Sequence, residues 1–519
     1  MLTNQVYDVC IVGGGIAGAM VALQLAKEGK SVVIVEAGQR FDFKQRMMQL
    51  RRRDVLGSSL WPWEQEGRDA FTDGSEPSLG YSYTLNDSRI KAVGGSSLHW
   101  GGLVSRLRES DFRTRSLYGT GVDWPIDYHE LEPWYCLAEA SLGVAGVQNR
   151  SDPPRSQPYP MEAFPPDFSD QRWQRVAANM GIDLDRTAFA INSAPNAGRP
   201  PCIAYAICEL CPSGARYSAD FQLFDLEKKG LLTLAAETVA RRIELDGAGR
   251  VKAVHATDLD DYDHVFRARH FVLAAHTIET TRLLMLSGIG NRSDELGRNL
   301  MEHWYVVRAG LIDESQFPYR IGFHTSECSH WYDGPERADR GAIKIEFYNR
   351  FDTLRDGISK GLIGEELDQY DCQHFGRWAL LAAETEHAAN PDSRVTLDEE
   401  VRDRFGDPAP RTEFRLSDRD RNTHDRATTI LEELLAAAGA SEIIGGAKYW
   451  RAHHHLGTCR MHDDPDRGVV DRDGRVHGTQ NLYVASSAVF PTGAARQPTL
   501  TLAALALRLG AHLAAMRGQ

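Results

Sequence analysis

The sequence predicts an α/β fold in which a Rossmann-type domain is interleaved with an α+β domain built on an antiparallel sheet. Near the N-terminus a buried strand, a glycine turn, a helix and a second buried strand follow one another within about 35 residues. After residue 310, segments of alternating polar and apolar residues such as Ala342–Phe347 replace this pattern. Because apolar runs of the first kind lie on both sides of that region, the second domain is predicted to be inserted in the first.

Composition narrows the class of protein. The 519 residues provide enough chain for several domains and a large core. The chain carries 59 basic and 72 acidic residues, a net charge of -13, which argues against nucleic acid as a partner. Eight cysteines in a chain of this length are too few for a secreted disulfide scaffold.

Two segments bear on targeting and membranes. The strand-like run Val6–Val12 leaves no room before it for a signal peptide, so a cytoplasmic location is expected. The most apolar stretch, Leu500–Met516, is interrupted by Arg508 and His512 and predicts a buried helix. We therefore expect no direct insertion into a membrane.

The N-terminal glycine turn has the spacing of a dinucleotide-binding site. Gly13 permits the tight turn, Gly15 lets a pyrophosphate approach the backbone, and Gly18 lets helix and strand pack closely. Glu36 follows the second strand, where a carboxylate accepts hydrogen bonds from ribose hydroxyls. NAD and FAD both fit this pattern, and its position at the N-terminus favours FAD.

A second glycine-rich loop follows at Val93–Gly102. Backbone amides and small hydroxyls at Gly94, Gly95, Ser96 and Ser97 can approach a flavin or its pyrophosphate closely. The alternative is an ordinary surface turn, for which a tryptophan between glycine pairs is an unusual choice.

Three of the eight cysteines are clustered. Cys202, Cys208 and Cys211 have the spacing C-x5-C-x2-C, which suits an iron-sulfur cluster or zinc. Three thiolates match a three-iron cluster, whereas a four-iron cluster or zinc needs a fourth ligand that the sequence does not identify. Unrelated buried cysteines or a disulfide are the structural alternatives.

Several other segments carry local signals. Leu231–Leu245 is predicted to be one strand, and Thr277–Ser287 a helix. Asp418–Ala438 is predicted to be a long amphipathic helix with Ser417 as its N-cap. His303 is expected to be a hydrogen-bonded structural histidine.

Near the C-terminus three histidines are adjacent, at positions 453–455. On a strand, neighbouring side chains point to opposite faces, so these three are not expected to converge on one metal ion.

These features together resemble the glucose-methanol-choline (GMC) oxidoreductases. The matching motifs are the N-terminal fingerprint, the loop Val93–Trp100 and the segment His454–Met461, which has the form H-x-x-G-T-x-R-M. The resemblance implies a GMC-type FAD-binding domain and makes His454 the active-site base, with His455 as the alternative. Gln497 stands where the family usually has Asn or His, just before Pro-Thr, and its extra methylene shifts the amide.

The resemblance also implies a set of FAD-binding residues. They are Gly13, Gly15, Gly18, Glu36, Gly94, Gly95, Ser96, Ser97, His99, Val239, Ser486, Pro498 and Thr499. The His-Trp form of the second loop is most similar to the pyranose-oxidase and bacterial sugar-dehydrogenase branch. In pyranose oxidases the histidine matching His99 carries the flavin covalently, whereas the similar dehydrogenases lack that bond, and both remain open here.

The segment Cys211–Tyr217 resembles the Cys-Pro-x-Gly-Ala-x-Tyr ending found in FAD subunits of bacterial sugar dehydrogenases. In several of these enzymes the segment holds a 3Fe-4S cluster that takes electrons from the flavin. The resemblance implies a cytochrome or a quinone as electron acceptor and a small signal-bearing partner subunit, with export to the periplasm as the alternative location.

The implied activity is oxidation of a secondary or anomeric hydroxyl of a sugar or glycoside, with C3 oxidation favoured. The alternatives are a sugar oxidase that reduces O₂ to hydrogen peroxide, and a flavin- or zinc-binding module without turnover. We expect the FAD-binding domain in residues 1–140, 221–309 and 448–519, a cap region with the cysteines in 141–220, and the substrate-binding domain in 310–447.

Overall fold

A computed structural model describes residues 5–56, 69–80, 83, 85–204, 208, 210–315, 324–348, 353–446 and 449–516. The strands are β1 (Val6–Val12), β2 (Val32–Val35), β3 (Thr72–Asp73), β4 (Ala145–Gly146), β5 (Met161–Glu162), β6 (Asp185–Arg186), β7 (Thr233–Ala235), β8 (Thr238–Leu245), β9 (Val251–Asp258), β10 (Asp263–Leu273), β11 (Trp304–Leu311), β12 (Ser326–Cys328), β13 (Ile343–Tyr348), β14 (Trp378–Thr385), β15 (Arg394–Arg402), β16 (Pro408–Glu413), β17 (Glu442–Gly445), β18 (Trp450–Arg451) and β19 (Leu482–Val484). The helices are α1 (Ile16–Lys27), α2 (Phe43–Leu56), α3 (Thr114–Tyr118), α4 (Tyr128–Leu142), α5 (Phe168–Asn179), α6 (Ala219–Lys228), α7 (Thr277–Leu286), α8 (Thr353–Ser359), α9 (Gly364–His374), α10 (Asp418–Ala437) and α11 (Thr499–Ala515).

The first sheet confirms the predicted Rossmann-type domain. Its strand order is β7-β2-β1-β10-β9-β8, with β19 paired to β10. The strands β7, β2, β1, β10 and β19 run parallel, whereas β8 and β9 extend the sheet in antiparallel fashion. From Val9 onwards β1 is buried, as is the whole of β2, as expected for inner strands of a parallel sheet that is covered on both faces. Helix α11 packs on α1 and α4, as expected for a buried C-terminal helix.

The second sheet confirms the α+β domain built on antiparallel strands. Its order is β17-β11-β14-β13-β12-β6, with β18 paired to β11. On β13, Ile343, Ile345 and Phe347 face a core formed with Leu431 and other residues of α10. The alternate residues of β13, β14 and β11 face the opposite way, which is the side that forms the functional site.

The two domains are interleaved along the chain. Strand β11 belongs to the second sheet and crosses the expected boundary at 309/310, and β18 lies beyond the expected boundary at 447/448. Strand β6, from the cap region, also joins the second sheet. The expected boundaries therefore do not separate the strands of the two sheets cleanly.

Of two elements predicted from the sequence, a strand and a long helix, the structure contradicts the first and confirms the second. The single strand at Leu231–Leu245 is wrong, because Glu237 adopts φ +54 and divides the segment into β7 and β8, which pair with different neighbours. The helix predicted at Asp418–Ala438 is confirmed as α10, with the Ser417 side chain accepting a hydrogen bond from the Asp420 amide. Among the described residues, no helix has the length and apolarity needed to cross a membrane.

Candidate active site

A large cavity of about 860 Å³ lies between the two sheets. One end is lined by the two glycine loops, and the other by β11, β13, β14 and the histidine segment. The volume is near the upper end of the range for small-molecule and cofactor sites, about 300–1,000 Å³. The cavity can therefore accommodate a large cofactor with a substrate at its far end.

The N-terminal fingerprint forms the first end of the cavity. Gly13 has φ +106, and a Cβ there would lie 2.5 Å from the Ala274 carbonyl oxygen, so only glycine fits. Gly15 is the N-cap of α1, and no protein atom lies within 4 Å of the position of a Cβ on it. That open space in front of a helix N-terminus suits the pyrophosphate of a dinucleotide.

Glu36 lies beside this loop and lines the cavity. Its carboxylate accepts hydrogen bonds from the backbone amides of Gly14, at 2.7 Å, and Gly38, at 2.8 Å. Burial raises the pKa of Glu36 to about 7, and these amides and the charge of Lys91 only partly offset that effect. The carboxylate is thus fixed in orientation at the cavity wall, and its hydrogen bonding to a ribose stays a prediction.

The second glycine loop packs directly on the first. The Gly94 amide donates to the Gly14 carbonyl at 2.8 Å, and a Cβ on Gly95 would lie 3.2 Å from the Gly15 Cα. His99 in this loop faces the cavity, and burial together with the charge of Arg216 lowers its pKa to about 4. The His99 imidazole is therefore neutral at the wall of the site.

Most residues implicated by the sequence meet in this one cavity. Those that line it are Gly13, Gly15, Glu36, Gly95, Ser96, Ser97, His99, Val239, His454, Ser486, Gln497 and Thr499. Gly18, in the first turn of α1, and Gly94 and Pro498 lie behind the lining, and a Cβ on Gly18 would lie 2.1 Å from the Gly13 carbonyl oxygen. Their assigned roles stay predictions.

His454 is the predicted base, and it lies at the second end of the cavity. Its amide donates to Glu302 Oε1 at 2.7 Å, which fixes the backbone. Its Nδ1 lies 2.9 Å from Nδ1 of His303 and 3.5 Å from Oε1 of Glu384. With Nδ1 engaged on the protein side, Nε2 is the nitrogen left for a substrate.

The neighbouring histidines point elsewhere. His455 is buried outside the cavity lining, where Nε2 lies 2.7 Å from the Tyr83 hydroxyl and Nδ1 lies 3.1 Å from His276 Nε2. His453 lines the cavity but has φ +64, and residues 453–455 do not form the strand expected from the sequence. The imidazoles of His454 and His455 have different hydrogen-bond partners, so these two do not converge on one point. The geometry favours His454 over His455 as the cavity-facing group.

Gln497 is held by the protein on both sides of its amide. Its Nε2 donates to Glu346 Oε1 at 2.8 Å, and its oxygen accepts from the Ser105 hydroxyl at 3.1 Å. The hydroxyls of Tyr305 and Tyr348 also donate to Glu346, each at 3.1 Å. One buried carboxylate therefore orients three polar residues of the cavity wall.

A fully buried charge cluster lies behind that wall and was missed in the sequence. Lys344 Nζ lies 2.7 Å from Glu384 and 3.0 Å from Glu346. Burial alone lowers the pKa of Lys344, but the two carboxylates outweigh it and raise the pKa above its usual range. Burial raises the pKa of Glu384, but Lys344 and the nearby histidines hold it well below its usual range. The only sequence signal was the alternation on β13, which does not distinguish a cavity from solvent.

The cysteine segment lies against a small apolar cluster. Cys202, Cys208 and Cys211 all pack against the group that contains Phe164 and Phe189. The amide of Ala204 donates to Cys202 Sγ at 3.4 Å, and that of Arg216 donates to Cys211 Sγ at 3.3 Å. No disulfide joins any cysteine in the part of the chain that the structure describes. Amide hydrogen bonds to sulfur suit thiolates that ligate iron.

This segment is tied to the second glycine loop. The Arg216 guanidinium donates to the carbonyls of Leu98, at 2.8 Å, and Trp100. In return, the Trp100 indole donates to the Tyr217 carbonyl at 2.9 Å. Arg216, which follows Cys211 by five residues, therefore connects the cysteine segment with the loop that carries His99.

Known proteins support this description. Profiles described as GMC oxidoreductase match residues 164–305 and 389–506, and one described as FAD dependent oxidoreductase matches residues 8–45. The chain is 30% identical to the fructose dehydrogenase large subunit of Gluconobacter japonicus, with 96% of each chain covered. It is also 30% identical to 6'''-hydroxyparomomycin C oxidase of Streptomyces lividus, with 99% of this chain and 93% of that protein covered.

A solved structure shows the same fold. Pyridoxine 4-oxidase from Mesorbium loti matches with a TM-score of 0.67 and 18% identity, over 98% of this chain and 99% of that chain. With the two glycine loops and the H-x-x-G-T-x-R-M histidine in one cavity, the chain belongs to the GMC oxidoreductase family and is a FAD-dependent oxidoreductase.

Proposed function

We propose that the protein is a dehydrogenase that oxidises a secondary or anomeric hydroxyl of a sugar or glycoside. The observation that carries this proposal is the polar wall of His454, Gln497, Tyr305 and Tyr348 at the end of the cavity opposite the dinucleotide loop. FAD, when bound, supplies the hydride acceptor for the carbinol carbon.

The hydroxyl proton needs a base at the same place. His454 lines the cavity, and because its Nδ1 is engaged by His303 and Glu384, its Nε2 is the nitrogen left to act as that base. A neutral imidazole is suited to this role near pH 7, and general-base catalysis contributes about 10²–10⁴ in rate. Gln497, fixed by Glu346 and Ser105, supplies an amide that can bind the same substrate oxygen.

The substrate class follows from the wall and from the relatives. Tyr305, Tyr348 and Gln497 offer hydroxyl and amide groups at one end, as a polyhydroxy substrate requires. The names of two relatives mention fructose and hydroxyparomomycin. Within this class we place C3 of a pyranoside first, because the His99-Trp100 loop resembles the pyranose-oxidising branch.

We further propose that electrons leave through an iron-sulfur cluster held by Cys202, Cys208 and Cys211. Their shared packing and the amide donors to sulfur fit thiolate ligands, and three ligands fit a 3Fe-4S cluster. The link through Arg216 brings the segment close to the flavin loop. The Gluconobacter relative is a large subunit by name, which supports a partner subunit here as well, with a cytochrome as acceptor.

Anaerobic purification followed by a visible spectrum and iron analysis tests the proposal. A dehydrogenase of this type contains iron, and its flavin absorbance bleaches when a sugar or glycoside is added. Iron-free protein that makes one peroxide per substrate oxidised would instead show an oxidase. Protein with zinc and no bleaching would show a binding module.

Paired cysteine variants test the electron route. Cys208→Ser should lose iron and reduction of one-electron acceptors while substrate still bleaches the flavin. Cys372→Ser, at an exposed cysteine outside the segment, serves as the matched control. Unchanged iron content in Cys208→Ser would refute the assignment of that ligand.

A further inference from the structure

The buried pair His303 and Glu384 lies directly behind the predicted base. His303 Nε2 lies 3.0 Å from the Gly493 carbonyl oxygen, so this nitrogen carries a proton and donates it. In neutral His303 the Nδ1 is therefore an acceptor, and it lies 2.9 Å from Nδ1 of His454. His454 must then donate from Nδ1, which leaves its Nε2 without a proton on the cavity side.

The surroundings of His303 favour a second proton on this ring. Its Nδ1 lies 3.0 Å from Oε1 of Glu384, and neither side chain has any exposed surface. Burial alone lowers the pKa of His303, but the carboxylates of Glu384 and, more weakly, Glu302 outweigh it and raise the pKa.

Glu384 itself is not the proton acceptor. Lys344 Nζ lies 2.7 Å from its other oxygen, and together with His303 it keeps the pKa of Glu384 well below the usual range. The groups that face His303 are thus one ionised carboxylate on β14, the lysine beyond it on β13, the neighbouring Glu302 and the imidazole of His454. Their arrangement stabilises a positive charge on His303.

We propose that the hydroxyl proton of the substrate is stored on His303. This rests on the proposed function, in which His454 is the base. The substrate O–H bond breaks and His454 Nε2–H forms, while the His454 Nδ1–H bond breaks and His303 Nδ1–H forms. FAD, when bound, would accept the hydride from the carbon, so two electrons and one proton are accounted for. His303 is a positioning residue that acts through His454, and its charge faces Glu384 rather than the cavity.

The proposal predicts that the wild type and a variant of His303 take up different numbers of protons when FAD is reduced. This difference can be measured without substrate. The reduction potential of FAD in the holoenzyme, followed as a function of pH by dye equilibration, reports the protons taken up with two electrons. Between about pH 5 and 8 the wild type should take up two protons over part of the range, one of them on the histidine pair. His303→Asn keeps a donor for Gly493 and an acceptor for His454 but binds no proton.

In His303→Asn the second proton should be lost, or its uptake moved at least about one pH unit lower. Glu384→Gln should move it in the same direction, since it removes the charge that stabilises protonated His303. His424→Asn, at a buried histidine outside the cavity lining, is the control and should keep the wild-type stoichiometry. Uptake of one proton at every pH in the wild type would overturn the proposal even if both variants fail to fold.

A stopped-flow experiment with a pH indicator completes the test. In the wild type, bleaching of the flavin by a sugar should occur without release of a proton, which appears only on reoxidation. In His303→Asn one proton should be released together with bleaching. Release of one proton together with flavin bleaching in the wild type would refute storage of the proton on His303. Absence of bleaching by any sugar would refute the proposed function instead, and the potential measurement would still decide the role of His303.

Discussion

The two ends of the cavity are built in different ways. The cofactor end consists of consecutive residues, Gly13–Gly18 at the start of α1 and Gly94–Ser97, which meet through the hydrogen bond from the Gly94 amide to the Gly14 carbonyl. The substrate end consists of alternate residues of three strands, with Lys344 opposite Glu384 in the register of β13 and β14. A contiguous loop specifies its site by local sequence, whereas a sheet specifies it by register and by which face is covered.

The two ends also differ in how they hold charge. At the cofactor end, Glu36 is buried with backbone amides as its hydrogen-bond donors. At the substrate end, Glu346 and Glu384 share the cation of Lys344. Substitutions should therefore affect cofactor binding at one end, and the chemistry or the stability of the sheet at the other.

The largest effect is expected for His454→Ala. Loss of the imidazole should raise the barrier to flavin reduction by about 3–5 kcal/mol, since general-base catalysis contributes about 10²–10⁴ in rate. Anaerobic stopped-flow reduction of protein with a normal FAD content measures this. A near-normal rate of flavin reduction in His454→Ala would show that His454 is not the base. If only His455→Ala slowed flavin reduction, the base would be His455.

Lys344→Met should lower stability rather than FAD affinity. It leaves Glu346 and Glu384 buried without their cation, and breaking such a pair costs about 3–5 kcal/mol. Denaturant unfolding of the holoenzyme measures the loss. Adding Glu384→Gln should recover part of it, and Lys252→Met on the exposed side of β9 should change little. A double variant no more stable than Lys344→Met would contradict this account.

Glu36→Gln should change the pH dependence of the FAD-free protein. The pKa of Glu36 is raised from 4.5 to about 7, so the folded state binds its proton more tightly than the unfolded state. Wild-type stability should therefore fall relative to Glu36→Gln as pH rises from about 4.5 to 7, by up to about 3 kcal/mol. Thermal unfolding across this range measures the difference. Exposed Glu28→Gln should parallel the wild type, and parallel curves for Glu36→Gln would refute the raised pKa.

The smallest effect is expected for Gly15→Ala. The backbone of Gly15, at φ -83, accepts alanine, and the added methyl meets no protein atom within 4 Å. The FAD-free protein should thus keep its stability, while FAD affinity falls about tenfold, or about 1.4 kcal/mol, because the methyl occupies the pyrophosphate path. Fluorescence titration with FAD measures this, and Gly247→Ala, equally open but outside the cavity, is the control. Equal FAD affinities of the wild type and Gly15→Ala would refute the prediction that the pyrophosphate binds beside Gly15.

The two ends of the cavity also differ in how well the sequence predicts them. The glycine loops, Glu36 and the histidine motif are short and contiguous, so their residues could be named before the structure. Lys344 and Glu346 alternate with Ile343 and Ile345, a pattern typical of any half-buried strand. Only the position of the second sheet over the cavity shows that these charges face a site and not water. His303, taken for a structural histidine, is linked to His454 only by folding.

The pairing of β10 with β19 bears on the order of synthesis. Phe271 pairs with Leu482, and α11 packs on α1, so the sheet that begins at Val6 is completed by the last forty residues. A ribosome adds about 5–20 residues per second, so the first glycine turn waits roughly 25–95 s for its covering helix. During that interval the N-terminal strands expose apolar faces to the surroundings. A chain that stops before Leu482 therefore lacks both a strand of this sheet and the helix that packs on α1.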